Sequence, residues 1–187
     1  EAIRKSAVPL LIAGGGVHYS IASDELASFA SAFGIPVAET QAGKGSLPWD
    51  HPQALGSIGV TGTSAANVAA AESDLIVGIG TRLQDFTTGS WALFQNPTGQ
   101  LVQVNVAPTD AYKRGAFALV ADAKLTLDAL SEELGEWRSQ DPIRHESAMA
   151  DWNRAWDAAT ATGNEVLPSD AQVIGAVWRT VPKDAIV

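Results

Sequence analysis

The sequence predicts an α/β domain built on a doubly wound parallel sheet of about six strands, with helices on both faces, followed by a C-terminal helical connector. Three observations predict it. Residues 8–13 (VPLLIA) and 74–79 (DLIVGI) are short and almost wholly apolar, as parallel strands covered on both faces are, without the in–out alternation of an antiparallel sheet. Other segments repeat apolar residues at spacings of three and four, the period of a helix packed on one side. The two kinds of segment alternate, which implies parallel strands joined by right-handed crossovers.

Taken in order, residues 8–13 form the first strand and Gly14, Gly15 and Gly16 end it. Ser20 or Ser23 can cap a helix carrying Leu26, Phe29, Ala30 and Phe33 on one face, and Gly34 closes it. Residues 35–39 are the second strand. A long loop follows from Thr40 to Gly62, holding Gly43, Gly45, Gly56 and Gly59 with Pro48 and Pro52. A loop of that length in a compact domain is functional, covered by a partner, or an ordinary surface connection. Thr63 is a candidate cap for an alanine-rich helix over 65–72, whose small side chains allow close approach to a sheet. Residues 74–79 are the clearest buried strand, ending at Gly80, Thr81 and Arg82. A Thr- and Gly-rich loop then leads to the apolar residues 91–94, and Val102, Val104 and Val106 alternate as in a strand over 101–106. Pro108 and Asp110 start a helical turn, residues 118–121 read as a further strand, and Asp122 caps a helix with Leu127, Leu130 and Leu134 that ends near Gly135.

This is a Rossmann-like order of elements over residues 1–135. In such sheets ligands sit beyond the carboxyl ends of the strands, where the strand order reverses. Gly14 to Gly16, Thr40 to Gly43, Gly80 to Arg82, and Asn105 stand at those ends and are expected to converge on one crevice. Residues 136–168 are a helical connector with Met149, Trp152, Trp156 and Ala159 on one face, and those aromatics pack either on the domain or on parts of a longer protein. Residues 169–187 begin another unit, with Ser169 or Asp170 capping a helix that carries Ile174, Val177 and Trp178. The start at Glu1 and the apolar run opening at Lys183 suggest a piece of a longer polypeptide.

Composition excludes several classes of function. The net charge of −9 argues against nucleic acid and anionic membrane surfaces as partners, and no apolar run approaches the roughly 20 residues of a membrane helix. With no cysteine, disulfides, thiolate catalysis and Cys-ligated zinc are excluded, a composition compatible with a cytoplasmic protein. His18, His51 and His145 are too scattered for a metal site or triad, and His51 reads as a loop hydrogen-bonder. GGGVHY at 14–19 supplies two glycines of a dinucleotide fingerprint but has Tyr19 in the third place. Glu39 stands roughly where that fingerprint wants an acid for a ribose. A tight strand-to-helix turn explains the glycines equally well. Arg82 could hold a phosphate or pair with Asp85.

Five motifs occur in order: AGGG at 13–16, TQAGKGSLPWDHP at 40–52, GSIGVTGT at 56–63, DLIVGIGTRLQDFTTGS at 74–90 and VNVAPTD at 104–110. Together they resemble the central domain of thiamine-diphosphate-dependent enzymes of the acetolactate synthase and pyruvate oxidase type. Within that family the wording at 40–52 and 80–91 is most similar to the branch that opens a cyclic 1,2-dione by hydrolytic C–C cleavage. The resemblance implies a parent protein using thiamine diphosphate and Mg²⁺, held between flanking pyrimidine- and diphosphate-binding domains in a homo-oligomer. Residues 169–187 then open the diphosphate-binding domain. The catalytic and metal-binding residues lie in those flanking domains, none of them in this chain, and no Gly-Asp pair of the kind the family uses to hold Mg²⁺ is present. The fragment alone is expected to be inactive. Members that carry FAD in this domain bind it at positions matching Gly15, Gly16, Thr40, Gln41, Gly59, Val60, Thr61, Thr81, Arg82 and Asn105. Here Phe86 replaces an arginine of the family pattern, Gln84 replaces an acid, and 104–107 reads VNVA where the family is acidic. A vestigial or nucleotide-selective crevice, or a purely structural domain, is therefore expected in place of a flavin site. The alternatives are an FAD- or ADP-binding central domain and a stand-alone dinucleotide-binding module; an NAD-dependent deacylase of related fold would need the cysteines this chain lacks.

Overall fold

The computed structural model describes residues 1–140, 143–163, 167–182 and 185, with the side chains of 143–145 left aside. Six strands form one parallel sheet: β1 (Pro9–Ala13), β2 (Val37–Glu39), β3 (Ala54–Ser57), β4 (Leu75–Ile79), β5 (Gln100–Val104) and β6 (Phe117–Leu119). Their order is β3-β2-β1-β4-β5-β6, so the chain winds outward from β1 in one direction and from β4 in the other. β1 and β4 pair in register over Pro9↔Leu75 to Ala13↔Ile79, and both strands are buried throughout. That is the physical reason their sequences lack alternation.

Helices cover both faces. On one side α3 (Ser23–Phe33) and α7 (Ala123–Leu134) bury Leu26, Phe29, Phe33, Leu127 and Leu134 against Leu11, Val37, Val77 and Ile79. On the other, α4 (Ser64–Glu72) lays Ala65, Ala66 and Ala70 on Leu10, Ile12, Ala38 and Ile76. The remaining elements are short helices α1 (Ala2–Lys5), α2 (Gly15–Tyr19), α5 (Asp85–Thr88) and α6 (Pro108–Ala111), and the connector helices α8 (Ile143–Thr160) and α9 (Asp170–Thr180). The caps follow the sequence. The Thr63 hydroxyl accepts the Ala66 amide at 3.0 Å, Asp122 accepts Lys124 and Leu125 amides, and Ser169 with Gln172 forms a capping box. Gly34 ends α3 at φ 64°.

Several expectations need correcting. The loop over 40–62 is not continuous, because β3 lies inside it as the edge strand beyond β2. Neither Ser20 nor Ser23 caps α3: Ala22 occupies that position and Ser23 is already helical. Ser20 instead donates to Asp122 at 2.6 Å. Met149 and Trp152 pack on the core cluster under α4, so α8 forms an outer layer on this domain. Trp178 of α9 meets Trp49 edge-on at 5.1 Å, with half of its surface exposed. The strand opening at 183–187 falls, save Ala185, outside the described residues, as do residues 164–166 of the connector. No described helix is long and apolar enough to cross a membrane.

Candidate functional site

The site is a crevice of about 720 Å³ beyond the carboxyl ends of the strands, at the point where the sheet order reverses between β1 and β4. Backbone geometry builds its floor. The Gly14 and Gly16 amides donate to the Ile79 and Gly80 carbonyls at 2.9 Å, carrying the β1–β4 ladder one turn past both strands. Gly80 has φ 60° and lies so close to Gly16 that a Cβ on either would come within 2.5 Å of the other's Cα. Beyond Gly80, the Thr81 hydroxyl accepts the Leu83 amide at 3.2 Å. Leu83 takes the left-handed conformation at φ 44° and drops into the core beneath α4, which leaves the neighbouring Arg82 side chain in solvent at the crevice. A non-glycine residue in that conformation costs about 1–2 kcal/mol, offset by burying Leu83 to 3% exposure.

Seven of the ten residues singled out by the sequence line this crevice: Gly15, Gly16, Thr40, Gln41, Thr81, Arg82 and Asn105. Gly59, Val60 and Thr61 do not. The Gly59 amide and carbonyl both bond the Asn67 side chain at 3.0 Å, and the Val60 amide donates to the Phe86 carbonyl, so this turn buttresses the crevice wall from behind. Sequence reasoning missed Tyr19, Ser20, Val106 and Asp122 as lining residues. Their positions one or two residues past the first turn of α2, past β5 and at the start of α7 were the available signal.

Most polar side chains here are engaged by the chain itself. Asn105 is 8% exposed, its amide nitrogen donates to the Thr81 carbonyl at 3.0 Å, and its oxygen accepts the Ala107 amide at 2.9 Å. Thr40 accepts the Gly43 amide at 3.1 Å. Asp122 is held below the ordinary carboxyl range, foremost by the Ser20 hydroxyl and then by the amides at the start of α7. Asp110 pairs with Lys113. Arg82 makes no ion pair or side-chain hydrogen bond among the described residues, and the pairing with Asp85 suggested by the sequence is not formed there.

Glu39 does not line the crevice, contrary to its expected place beside a ribose. It turns under the 40–50 loop, where its Oε1 accepts the Leu47 amide at 2.9 Å. Burial pushes its carboxyl above the ordinary range, against the opposing pull of the Leu47, Gly45 and Ser46 amides. His51 bridges Ser31 and the Gln53 amide and His18 contacts the Lys44 carbonyl, both as loop hydrogen-bonders. The His145 side chain is outside the described residues. Among the described residues no three His, Asp or Glu gather as metal ligands would.

Known proteins resemble this chain at two levels. A family model described as "Thiamine pyrophosphate enzyme, central domain" matches residues 1–130. The chain is 45% identical over 171 residues to 3D-(3,5/4)-trihydroxycyclohexane-1,2-dione hydrolase of Geobacillus thermodenitrificans, covering 90% of this chain and 26% of that protein. It is 47% identical over 154 residues to 3D-(3,5/4)-trihydroxycyclohexane-1,2-dione hydrolase 2 of Bacillus cereus, covering 81% and 24%. With the Bacillus anthracis 3D-(3,5/4)-trihydroxycyclohexane-1,2-dione hydrolase the identity is 46% over 157 residues, 84% of this chain and 24% of that one. This chain therefore spans about a quarter of the length of the curated relatives it matches.

Proposed function

Because the chain belongs to the thiamine pyrophosphate enzyme central-domain family, we propose that it is the non-catalytic middle domain of a thiamine-diphosphate-dependent hydrolase that opens trihydroxycyclohexane-1,2-dione by C–C cleavage, a step of myo-inositol breakdown. One observation carries the reading: 45% identity to the curated dione hydrolases runs through 90% of the chain, past the central-domain match and into the connector helices. In the full protein, thiamine diphosphate would act as the electron sink for the bond-breaking step, with Mg²⁺ holding its diphosphate. The described residues do not fit that cofactor: among them the only exposed cation at the crevice is Arg82, and the sequence has no Gly-Asp pair to hold the metal. No step of the reaction is therefore assigned to this chain. Its work is to set the spacing of the two domains that hold the cofactor. Cytoplasmic location and a homo-oligomeric parent belong to the same proposal, as do the boundaries at about residues 135 and 168.

The test compares the 187-residue chain with the full-length protein. The full-length protein is expected to bind thiamine diphosphate in a Mg²⁺-dependent way and to hydrolyse the dione. The isolated chain is expected to give no heat with thiamine diphosphate in a calorimeter and no turnover. Tight binding of the cofactor to the isolated chain would contradict the proposal.

A further inference from the structure

A glycine-lined crevice at the switch point of a doubly wound sheet is where a dinucleotide is expected, and the family resemblance implies FAD at these positions in its flavin-carrying members. Such a ligand asks three things of the protein. Glycines must face the ligand so that backbone can approach its diphosphate, directed donors or cations must meet the two phosphates, and an acid must be free for a ribose hydroxyl pair.

None of the three is met in full. A Cβ on Gly14 would lie 2.4 Å from the Gly80 carbonyl oxygen, and one on Gly16 would lie 2.5 Å from the Gly80 Cα. On Gly43 it would come within 2.2 Å of the Ala13 carbonyl oxygen. These glycines serve contacts of backbone on backbone. Gly15 alone of the group has its nearest neighbours, on Ala42, at 3.3 Å. Arg82 is the one cation lining the crevice among the described residues, and the carboxylates of Asp110 and Asp122 line the same space. A diphosphate would meet one compensating charge and two opposing ones, Asp110 paired with Lys113 and Asp122 near Lys124. The Asn105 oxygen and the Thr81 hydroxyl oxygen already accept the Ala107 and Leu83 amides, and one Asn105 N–H is spent on the Thr81 carbonyl. Glu39 is held under its own loop by Leu47.

We infer that this crevice carries neither a flavin nor any other dinucleotide: Asn105, Thr40, Thr81 and both acids are bonded to the chain itself, and the crevice is a seam that joins the two halves of the sheet. The inference rests on reading the chain as the central domain of a thiamine-diphosphate hydrolase and concerns a site apart from the reaction.

The full-length protein, loaded with thiamine diphosphate and Mg²⁺, provides the test. It is expected to purify without the visible absorption of an oxidised flavin. Its melting midpoint is expected to move by less than about 1 °C with FAD, NAD or ADP, whereas a ligand at about 100 times its Kd shifts it by several degrees. Hydrogen exchange at the Leu83, Ala107 and Leu125 amides is expected to be unaltered by FAD, since Thr81, Asn105 and Asp122 already hold them. Near-stoichiometric flavin in the purified protein overturns the inference. So does a saturable shift with any of the three ligands that Arg82→Ala abolishes, or slowed exchange at those amides. Thiamine diphosphate binding and dione cleavage, measured on the same sample, report separately on the parent reading.

Discussion

Gly16 is where a functional motif and a packing requirement are hardest to tell apart in sequence and easiest in structure. Alanine at this position would gain about 0.5–1 kcal/mol of helix propensity in α2. It would also force a Cβ to within 2.5 Å of the Gly80 Cα, in a strand-end contact fixed by the Gly16–Gly80 hydrogen bond. Overpacking of rigid backbone costs about 1–3 kcal/mol, so the steric effect wins. Gly16→Ala is expected to lower stability by about 1–2 kcal/mol in a denaturant titration, while Gly15→Ala, whose Cβ would meet Ala42 at 3.3 Å, stays within about 0.5 kcal/mol. Equal losses at the two positions would mean that the turn, not the contact with Gly80, demands glycine. Asn105 teaches the same lesson with a polar side chain. Its position after a strand end and its turn bond with the Ala107 amide were legible, but its bond to the Thr81 carbonyl depends on a neighbouring strand end 24 residues away in sequence, which no local pattern encodes.

Among the elements, strands buried on both faces announced themselves. β1 and β4 are continuous apolar runs, and the caps Thr63, Asp122 and Ser169 marked helix starts. β3 did not, because it has four residues, ends in a bend with Gly56 at φ 78°, and sits on the sheet edge between Pro52 and Gly59. Its neighbour, the 40–50 loop, is organised by Glu39, and this has a pH signature. The folded-state carboxyl is raised by burial, so the folded protein holds this proton more tightly than the unfolded chain does. The contribution to stability is full below the unfolded-state value and is lost as pH rises through the folded-state value. Glu39→Gln keeps an oxygen that can accept the Leu47 amide and removes the buried charge. The variant is therefore expected to gain on the parent chain in urea midpoint as pH rises from about 4 to 7, with no difference at the acid end. A variant that loses ground over that range would mean that the amide hydrogen bonds, not desolvation, govern Glu39.

At the scale of the whole molecule the question is where the domain stops. The family match ends at residue 130, yet packing continues beyond it. Trp137 stacks near Phe33 at 6.3 Å, the Ser139 amide donates to the Phe33 carbonyl at 2.8 Å, and Ala148, Met149 and Trp152 cover the cluster beneath α4. α9 is fastened less broadly. Gly175 lets it cross α8 so closely that a Cβ there would lie 2.4 Å from the Thr160 Cβ, Arg179 donates to the Thr160 carbonyl, and Trp178 touches Trp49, while Val173, Ile174 and Val177 stay exposed. A chain of residues 1–140 therefore retains the whole sheet and loses one covering layer. Burial of a Met or Trp side chain contributes about 1.5–3 kcal/mol when complete, and ordering α8 offsets part of it, which leaves a net loss of about 1–3 kcal/mol. The shortened chain is expected to keep the far-ultraviolet signature of an α/β fold and to melt roughly 3–10 °C lower than the 187-residue chain. Trp152→Ala in the longer chain is expected to reproduce part of that drop, because it removes the same cover without shortening the chain. Unchanged melting in both would assign α8 to a neighbouring unit, and the stabilising core would then end with α7.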